Sequence, residues 1–353
     1  MDSLWFKDIK FYENKNDENK NLETEICIVG AGIFGMTCAY YLTKLGYKVI
    51  VVDKDRIGFK TTGHTTAKIT SEHGLFYDYL VNSYSKEFSK DYLKANEQAI
   101  DNIEEIIKQE KINCDFTREN HFVYTTKQED IVSLKKEVKA LQDIGFKNFD
   151  FVTKTGLPFE IQGAICFKNQ AKFHPLKYLY GLCNSIISNG GQIFTNSAVY
   201  DVEKNVDGYT TYLNKYKINS KYVIIATHYP IINFPGFYFT KMYQSTSYLI
   251  AVDPKKTLFN GMYISSSNPV FSFRTAKYGN KDLLIVGGGE HKTGQPTSYE
   301  NSYGLLETEA RKYYPDLEVL FRWNTRDCIS LDKIPYIGQY SLNDPNMFVR
   351  NRV

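Results

Sequence analysis

The sequence predicts an α/β fold in two parts: a discontinuous α/β domain of βαβ type, and an inserted α+β region built on a mixed or antiparallel sheet. Three observations carry this reading. An apolar strand, a glycine loop, a helix and a second strand follow one another between Ile26 and Val52. Two amphipathic helical stretches with strands between them occupy the region from Ser85 to Phe167, and short strands punctuated by turn residues recur after Gly190.

Each element has a local cause. Ile26 to Val29 is a short apolar strand buried on both faces, Ile33 to Leu45 is a helix stopped by Gly46, and Lys48 to Val52 is the second strand. In Ser85 to Glu110, Phe88, Tyr92, Ala95, Ala99, Ile103 and Ile106 recur three or four residues apart, the spacing of a helix face packed on a sheet. His121 to Thr126 reads as a strand, Glu129 to Ile144 as a second amphipathic helix, and Gly163 to Phe167 as another strand. His174-Pro175 opens a helix that Gly190-Gly191 closes. Strands follow at Ile193 to Thr195, Ala198 to Glu203, Tyr209 to Leu213 and Tyr222 to Ala226. Strand signals return from Met242 to Gly289, and Pro315 halts a helix over Tyr299 to Tyr314.

Composition narrows the function. The 353 residues suffice for two domains, and a formal charge of +3 over that length gives no concentrated field for nucleic acid or anionic lipid. The six cysteines are scattered, with no C-x-x-C pair and no histidine at ligand spacing, so reduced structural thiols and no metal site are expected. MDSLWFKDIK has an acidic start and no apolar core of a signal peptide, which points to the cytoplasm. The uncharged stretch Ile26 to Leu42 is short for a membrane span.

The string ICIVGAGIFG places Gly30, Gly32 and Gly35 in G-x-G-x-x-G order between strand and helix. Gly30 permits a tight turn, Gly32 lets the backbone approach a pyrophosphate, and Gly35 allows helix and strand to pack closely. The N–H groups around Ala31, Ile33 and Phe34, with the helix dipole behind them, suit phosphate. Asp53 ends the second strand about twenty residues on, where a carboxylate accepts from ribose hydroxyls, and Lys54 follows it. A dinucleotide is expected in a Rossmann-like fold. Glycine spacing does not separate FAD from NAD, but the run GFKTTGHTTAKITSEHG does: a dehydrogenase using NAD would continue into a helix here. Instead Thr61, Thr62, Thr65 and Thr66 offer donors to phosphate or flavin oxygens.

At these residues the chain resembles the D-amino-acid oxidase and glycine oxidase family of FAD-dependent amine oxidoreductases, over most of its length. GAGIFG through Asp53 and the TTGHTT loop match the segment that holds adenosine, pyrophosphate and one edge of the isoalloxazine ring. NGGQIFTNSAVYDVEKNVDGY and KYVIIAT match the strands that close the FAD domain, with Val199 near the adenine and Ala226-Thr227 in the usual Ala-Thr-Gly; His228 stands where that glycine is expected. FSFRTAKYGNKDLLIVGGG matches the substrate-domain strands, with Arg274 at the family arginine. RWNTRDCISLDKIPYIG matches the closing motif, in which Asp332, Pro335, Ile337 and Gly338 lead into the last flavin-contacting strand. The resemblance implies an FAD-binding domain over 22–75, 173–232 and 325–353, and a substrate domain over 76–172 and 233–324.

The likeness also implies an incomplete site. Family members continue past a segment like NMFV into a glycine-rich strand and a flavin-covering helix, whereas this chain reads NMFVRNRV. An exposed sheet edge and weakened FAD binding are expected. The layout is nearest the branch carrying a C-terminal Rieske domain, yet neither C-x-H nor C-x-x-H occurs to nominate cluster ligands.

Amine oxidation by flavin needs a substrate carbon held against the ring and little proton machinery. The resemblance makes Arg274 the cation for a substrate carboxylate. Tyr243 and Tyr248 are candidate walls of the open flavin face, and His291, after the triple glycine 287–289, lies at a strand end near the ring. His64 is a cofactor contact; in dimethylglycine dehydrogenases a histidine at a matching offset is bonded covalently to flavin, and a hydrogen bond is the alternative. His73 and His174 read as structural. The expected enzyme takes a small amine or amino acid and passes electrons to oxygen or a carrier protein. The rival expectation is a truncated remnant that binds flavin weakly or not at all.

Overall fold

The apolar run at Ile26 lies in the middle of β1 (Leu22–Val29) in the computed structural model, with Cys27 and Ile28 fully buried in cores on opposite faces. The structure describes residues 3–7, 9–12, 21–234, 236–295 and 298–351; most of the polar tract ENKNDENKN and the last two residues of RNRV lie outside them. β2 (Val49–Val52) pairs parallel to β1, and α1 (Ile33–Lys44) crosses between them. Lys217–Ile225 flanks β1 on its other side, also parallel, and Gln192–Phe194 extends the sheet beyond β2.

The NMFV segment is itself a strand of this sheet. Asp344–Asn351 runs parallel to Lys217–Ile225, and Tyr336–Ser341 folds back on it antiparallel. The hairpin Val199–Lys204 and Tyr209–Leu213 pairs onto the N-terminal half of Lys217–Ile225.

A second sheet of nine strands is mostly antiparallel. Its order runs from Glu318–Ser330 through Met242–Asp253, Lys281–Lys292, Phe271–Tyr278, Met262–Ser265, Thr117–Thr125 and Gly163–Lys172 to Lys68–Ile69, with Phe149–Val152 also on Gly163–Lys172. Two limits drawn from sequence cut across it. Lys68–Ile69 pairs with Gly163–Lys172, and Glu318–Ser330 runs unbroken through residue 325, because backbone pairing rather than composition decides which sheet holds a strand. One core joins the sheets: Ile26, Ile28 and Val51 from the first share it with Leu249, Ala251, Ile285 and Trp323 from the second.

The long helices form where expected, but the face that Lys86–Gln109 buries is Ser89, Leu93, Ile100 and Ile106, one step round from the predicted stripe, and Phe88, Ala95 and Ala99 are exposed. Lys86–Gln109 is capped by Ser85, whose hydroxyl accepts from the Phe88 N–H at 3.1 Å. Pro175–Ser188 is capped by His174, whose Nδ1 accepts from the Lys177 N–H at 3.2 Å. Burial, above all, lowers that imidazole to about 4 and keeps it neutral, hence able to accept.

Helix Tyr77–Ser83 has no local capping signal, and periodicity does not reveal it. Its N-terminal amides are satisfied from a distance. The buried Glu137 carboxylate, on helix Ile131–Asp143, accepts from the N–H groups of Phe76, Tyr77 and Asp78 at 2.9, 2.7 and 2.8 Å. Glu137→Ala should leave three amides without partners and cost about 3 kcal/mol, read as a lower midpoint in urea unfolding with an unchanged slope.

Candidate cofactor and substrate site

The glycine loop forms one wall of a cleft of about 680 Å³ that continues to the second sheet. Gly30 has φ +117°, and a Cβ there would stand 2.7 Å from the Ala226 carbonyl, so both the turn and the neighbouring strand demand glycine. At Gly35 a Cβ would collide with the Gly30 carbonyl oxygen, which sets how closely α1 approaches β1. Gly32 adopts ordinary extended backbone; its Cβ would meet only Thr62 Oγ1, at 3.4 Å. The space it leaves belongs to the cleft.

Asp53 lies at one end. Its Oδ2 accepts from the Ala31 N–H at 2.7 Å and its Oδ1 from the Asp55 N–H at 2.8 Å, which fixes the carboxylate while burial raises its pKa. Lys54, Ser197 and Val199 line the same end. The rest of the lining includes Thr61, Thr62 and His64, Ala226 to Tyr229, and Gln244, Asn324, Thr325 and Arg326 of the second sheet.

The threonine loop owes its shape to side chains from elsewhere. Its carbonyls are taken in turn: Gly63 by the Ser3 hydroxyl, His64 by Trp323 Nε1 at 3.0 Å, and Thr65 by Trp5 Nε1 at 2.8 Å. Arg274 Nη1 takes those of Thr66 and Ala67 at 3.0 and 2.6 Å. Inside the loop, Thr62 Oγ1 accepts from the Ile33 N–H at 3.2 Å and ties it to the start of α1. His64 Nδ1 contacts the Lys60 carbonyl at 2.8 Å, which assigns its proton to Nδ1.

Residues 25–351 match the family of FAD dependent oxidoreductases designated DAO. This chain belongs to that family. It is 31% identical over 330 residues to a Bacillus subtilis protein named as a Rieske 2Fe-2S iron-sulfur protein, YhfW, covering 94% of this chain and 65% of the relative. The chain thus spans just under two thirds of that protein's length. In fold it is similar to L-proline dehydrogenase from P. horikoshii, with TM-score 0.75, 18% identity, and coverage of 94% of this chain and 88% of the other. Glycine oxidase from Geobacillus kaustophilus gives 0.73 at 14% identity, with 94% and 90% covered.

FAD is the cofactor of this DAO-family protein, and the cleft suits it: its lining brings together a side-chain-free Gly32, a fixed carboxylate, hydroxyls and a guanidinium. Gly30, Gly32, Ile33, Phe34, Asp53, Lys54, Thr61, Thr62, His64, Val199, Ala226 and Thr227 all line it. Ala31, Gly35, Thr65 and Thr66 are not among the lining residues. Thr61 does not offer its proton to a ligand, since that hydroxyl donates to the Arg326 carbonyl at 3.2 Å. Gly338 sits on the edge strand Tyr336–Ser341, away from the lining.

The four candidates for substrate chemistry are not brought together in the cleft. Arg274 is only 3% exposed, with its guanidinium on the carbonyls of Thr66, Ala67, Phe173 and Thr275 and beside the Trp5 ring, so the expected grip on a carboxylate is not available to it. Tyr248 is fully buried and is not among the residues lining the cleft. Leu249 and Ala251 point into the core shared by the sheets, whereas Tyr248, Ile250 and Val252 point the other way, against Tyr303 and Leu306. His291 Nε2 is 2.9 Å from the Tyr248 hydroxyl on that side, and Tyr243 lies under Lys292 Nζ rather than in the lining.

The second-sheet wall is what sequence reasoning missed. Gln244, Asn324, Thr325 and Arg326 lie on neighbouring strands, and only the antiparallel register that sets Gln244 against Cys328 and Thr246 against Arg326 brings them to one place. Lys68 is a further omission. Its Nζ donates to the Tyr263 carbonyl at 2.7 Å and to Ser272 Oγ at 2.6 Å, and burial lowers its pKa from 10.5 to about 7. Between those values the unfolded chain binds the extra proton, so this group makes stability rise as pH increases from about 7 towards 10.5. Lys68→Met should flatten that rise, as measured by urea midpoints across a pH series.

Proposed function

We propose that this DAO-family protein oxidises the carbon–nitrogen bond of an amine or amino acid, with Arg326 holding the substrate carboxylate where one is present. The observation that carries the reading is Arg326 itself. It is the one guanidinium among the described lining residues, it is exposed, and it belongs to the wall that the second sheet contributes. The names of the proline dehydrogenase and glycine oxidase with the same fold support an amino-acid substrate.

Asp53, Gly32 and the start of α1 would hold the adenosine and pyrophosphate, and Thr62, His64, Ala226 and Thr227 the ring end. Bound FAD supplies the acceptor for the hydride. Arg326 offers a planar fork to a carboxylate, fixing the α-carbon over that acceptor. Tyr229 and Ile231 supply apolar surface, and partial desolvation favours the neutral amine, whose lone pair forms the C=N bond as hydride leaves carbon. We place the enzyme in the cytoplasm, with oxygen or a carrier protein as electron acceptor; the relative named for an iron-sulfur cluster favours a carrier.

Anaerobic mixing of the FAD-loaded protein with amines and amino acids should bleach the flavin absorption for at least one compound. Arg326→Gln should then raise the KM for carboxylated substrates by about tenfold or more while kcat changes little, since the lost contact is made in both ground and transition states. Bleaching by no amine or amino acid contradicts the function, and an unchanged KM removes Arg326 from the substrate.

A further inference from the structure

His228 occupies the place of the family's Ala-Thr-Gly glycine and joins three separate elements at the ring end of the cleft. It follows strand Lys217–Ile225, and Thr61 belongs to the threonine loop. Cys328 lies fully buried on Glu318–Ser330 of the second sheet. His228 Nδ1 lies 3.2 Å from Thr61 Oγ1, and Nε2 lies 3.3 Å from Cys328 Sγ. Thr61 Oγ1 in turn donates to the Arg326 carbonyl at 3.2 Å.

One proton arrangement satisfies all of these contacts together. The Cys328 thiol donates to Nε2, the Nδ1–H donates to Thr61 Oγ1, and the Thr61 hydroxyl donates to Arg326. The chain of donors therefore runs from the second sheet through the imidazole to the threonine loop and back to the second sheet. Thr61 and His228 line the cleft, whereas Cys328 does not.

We propose that His228 is a positioning residue for the cofactor: it clasps the threonine loop to the second sheet, so that the buried Cys328 acts on flavin binding through it. The inference rests on FAD occupying this cleft. A glycine at 228 would leave both Thr61 Oγ1 and the Cys328 thiol without this partner.

The test titrates apoprotein with FAD, following flavin fluorescence and the visible spectrum of the bound ring, with melting of the apoprotein recorded alongside. His228→Gly should weaken FAD binding about five- to tenfold, the scale of one or two hydrogen bonds. Cys328→Ala should weaken it in the same direction, and Cys328→Ser, which keeps a donor, should restore it. In the His228→Gly background Cys328→Ala should have no further effect. His228→Asn, whose amide nitrogen can replace Nδ1–H towards Thr61, should retain more affinity than His228→Gln, whose amide reaches towards Cys328. Wild-type affinity and spectrum in Cys328→Ala, or independent additive losses in Cys328→Ala and His228→Gly, would overturn the clasp while leaving the cofactor site intact. Failure of the wild-type protein to bind FAD would overturn the site and the clasp together. Should His228→Gly not fold, the Cys328→Ala and Cys328→Ser pair with the Asn and Gln variants decides the question alone.

Discussion

A loop of irregular backbone between two sheets must find a partner for every buried carbonyl, and this requirement organises the molecule around residues 63–67. Among the described residues the backbone supplies one of those partners, the Phe173 N–H on the Ala67 carbonyl at 3.4 Å; side chains supply the rest. These are Ser3, Trp323, Trp5 and Arg274, each from a different part of the chain. An unmatched buried carbonyl costs about 1–3 kcal/mol, so a run of them left bare would rival the net stability of a domain. The loop is held in one shape because four distant side chains fit it at once.

That constraint gives roles to residues that otherwise look idle. The first few residues are an anchor: Trp5 is buried against His174 and under Arg274, and Phe6 packs beside His64. Trp323 ties the loop to the same strand that carries Asn324, Thr325 and Arg326 into the cleft, so loop placement and the second-sheet wall are set together. His228 and Thr62 add the links to the first sheet's strand and helix. The cleft is therefore shaped from both sheets, and a disturbance in either should reach it.

What the sequence made legible was local. The βαβ unit and the backbone demands on Gly30 and Gly35 follow from chemistry confined to a few adjacent residues, and the structure holds them as the spacing implied, with Asp53 directly after β2. The hydroxyl-rich character of the threonine loop is plain in the sequence, but which of its groups face the cleft is not: Thr61 and Thr62 line it, and Thr65 and Thr66 do not. The family resemblance makes Arg274 a substrate cation, and nothing in its own segment tells of the loop carbonyls that its guanidinium takes. Tyr248 was misplaced by the two-residue period of its strand, which puts it on the face opposite Leu249. Gln244 and Arg326 become neighbours only through strand register, and Glu137 caps a helix some sixty residues away. Such relations carry no signature within a single segment.

The central claim is that distant donors, not the loop's own sequence, hold residues 63–67 in the shape they have beside the cleft. Trp5→Phe removes one of them, the indole N–H, while keeping an aromatic ring in the core. Amide hydrogen exchange of the peptide spanning the loop, compared between wild type and this variant under identical conditions, tests the claim most directly. Faster exchange confined to that peptide, with the strands of both sheets unchanged, is the result this structure predicts; wild-type exchange throughout the loop would contradict it.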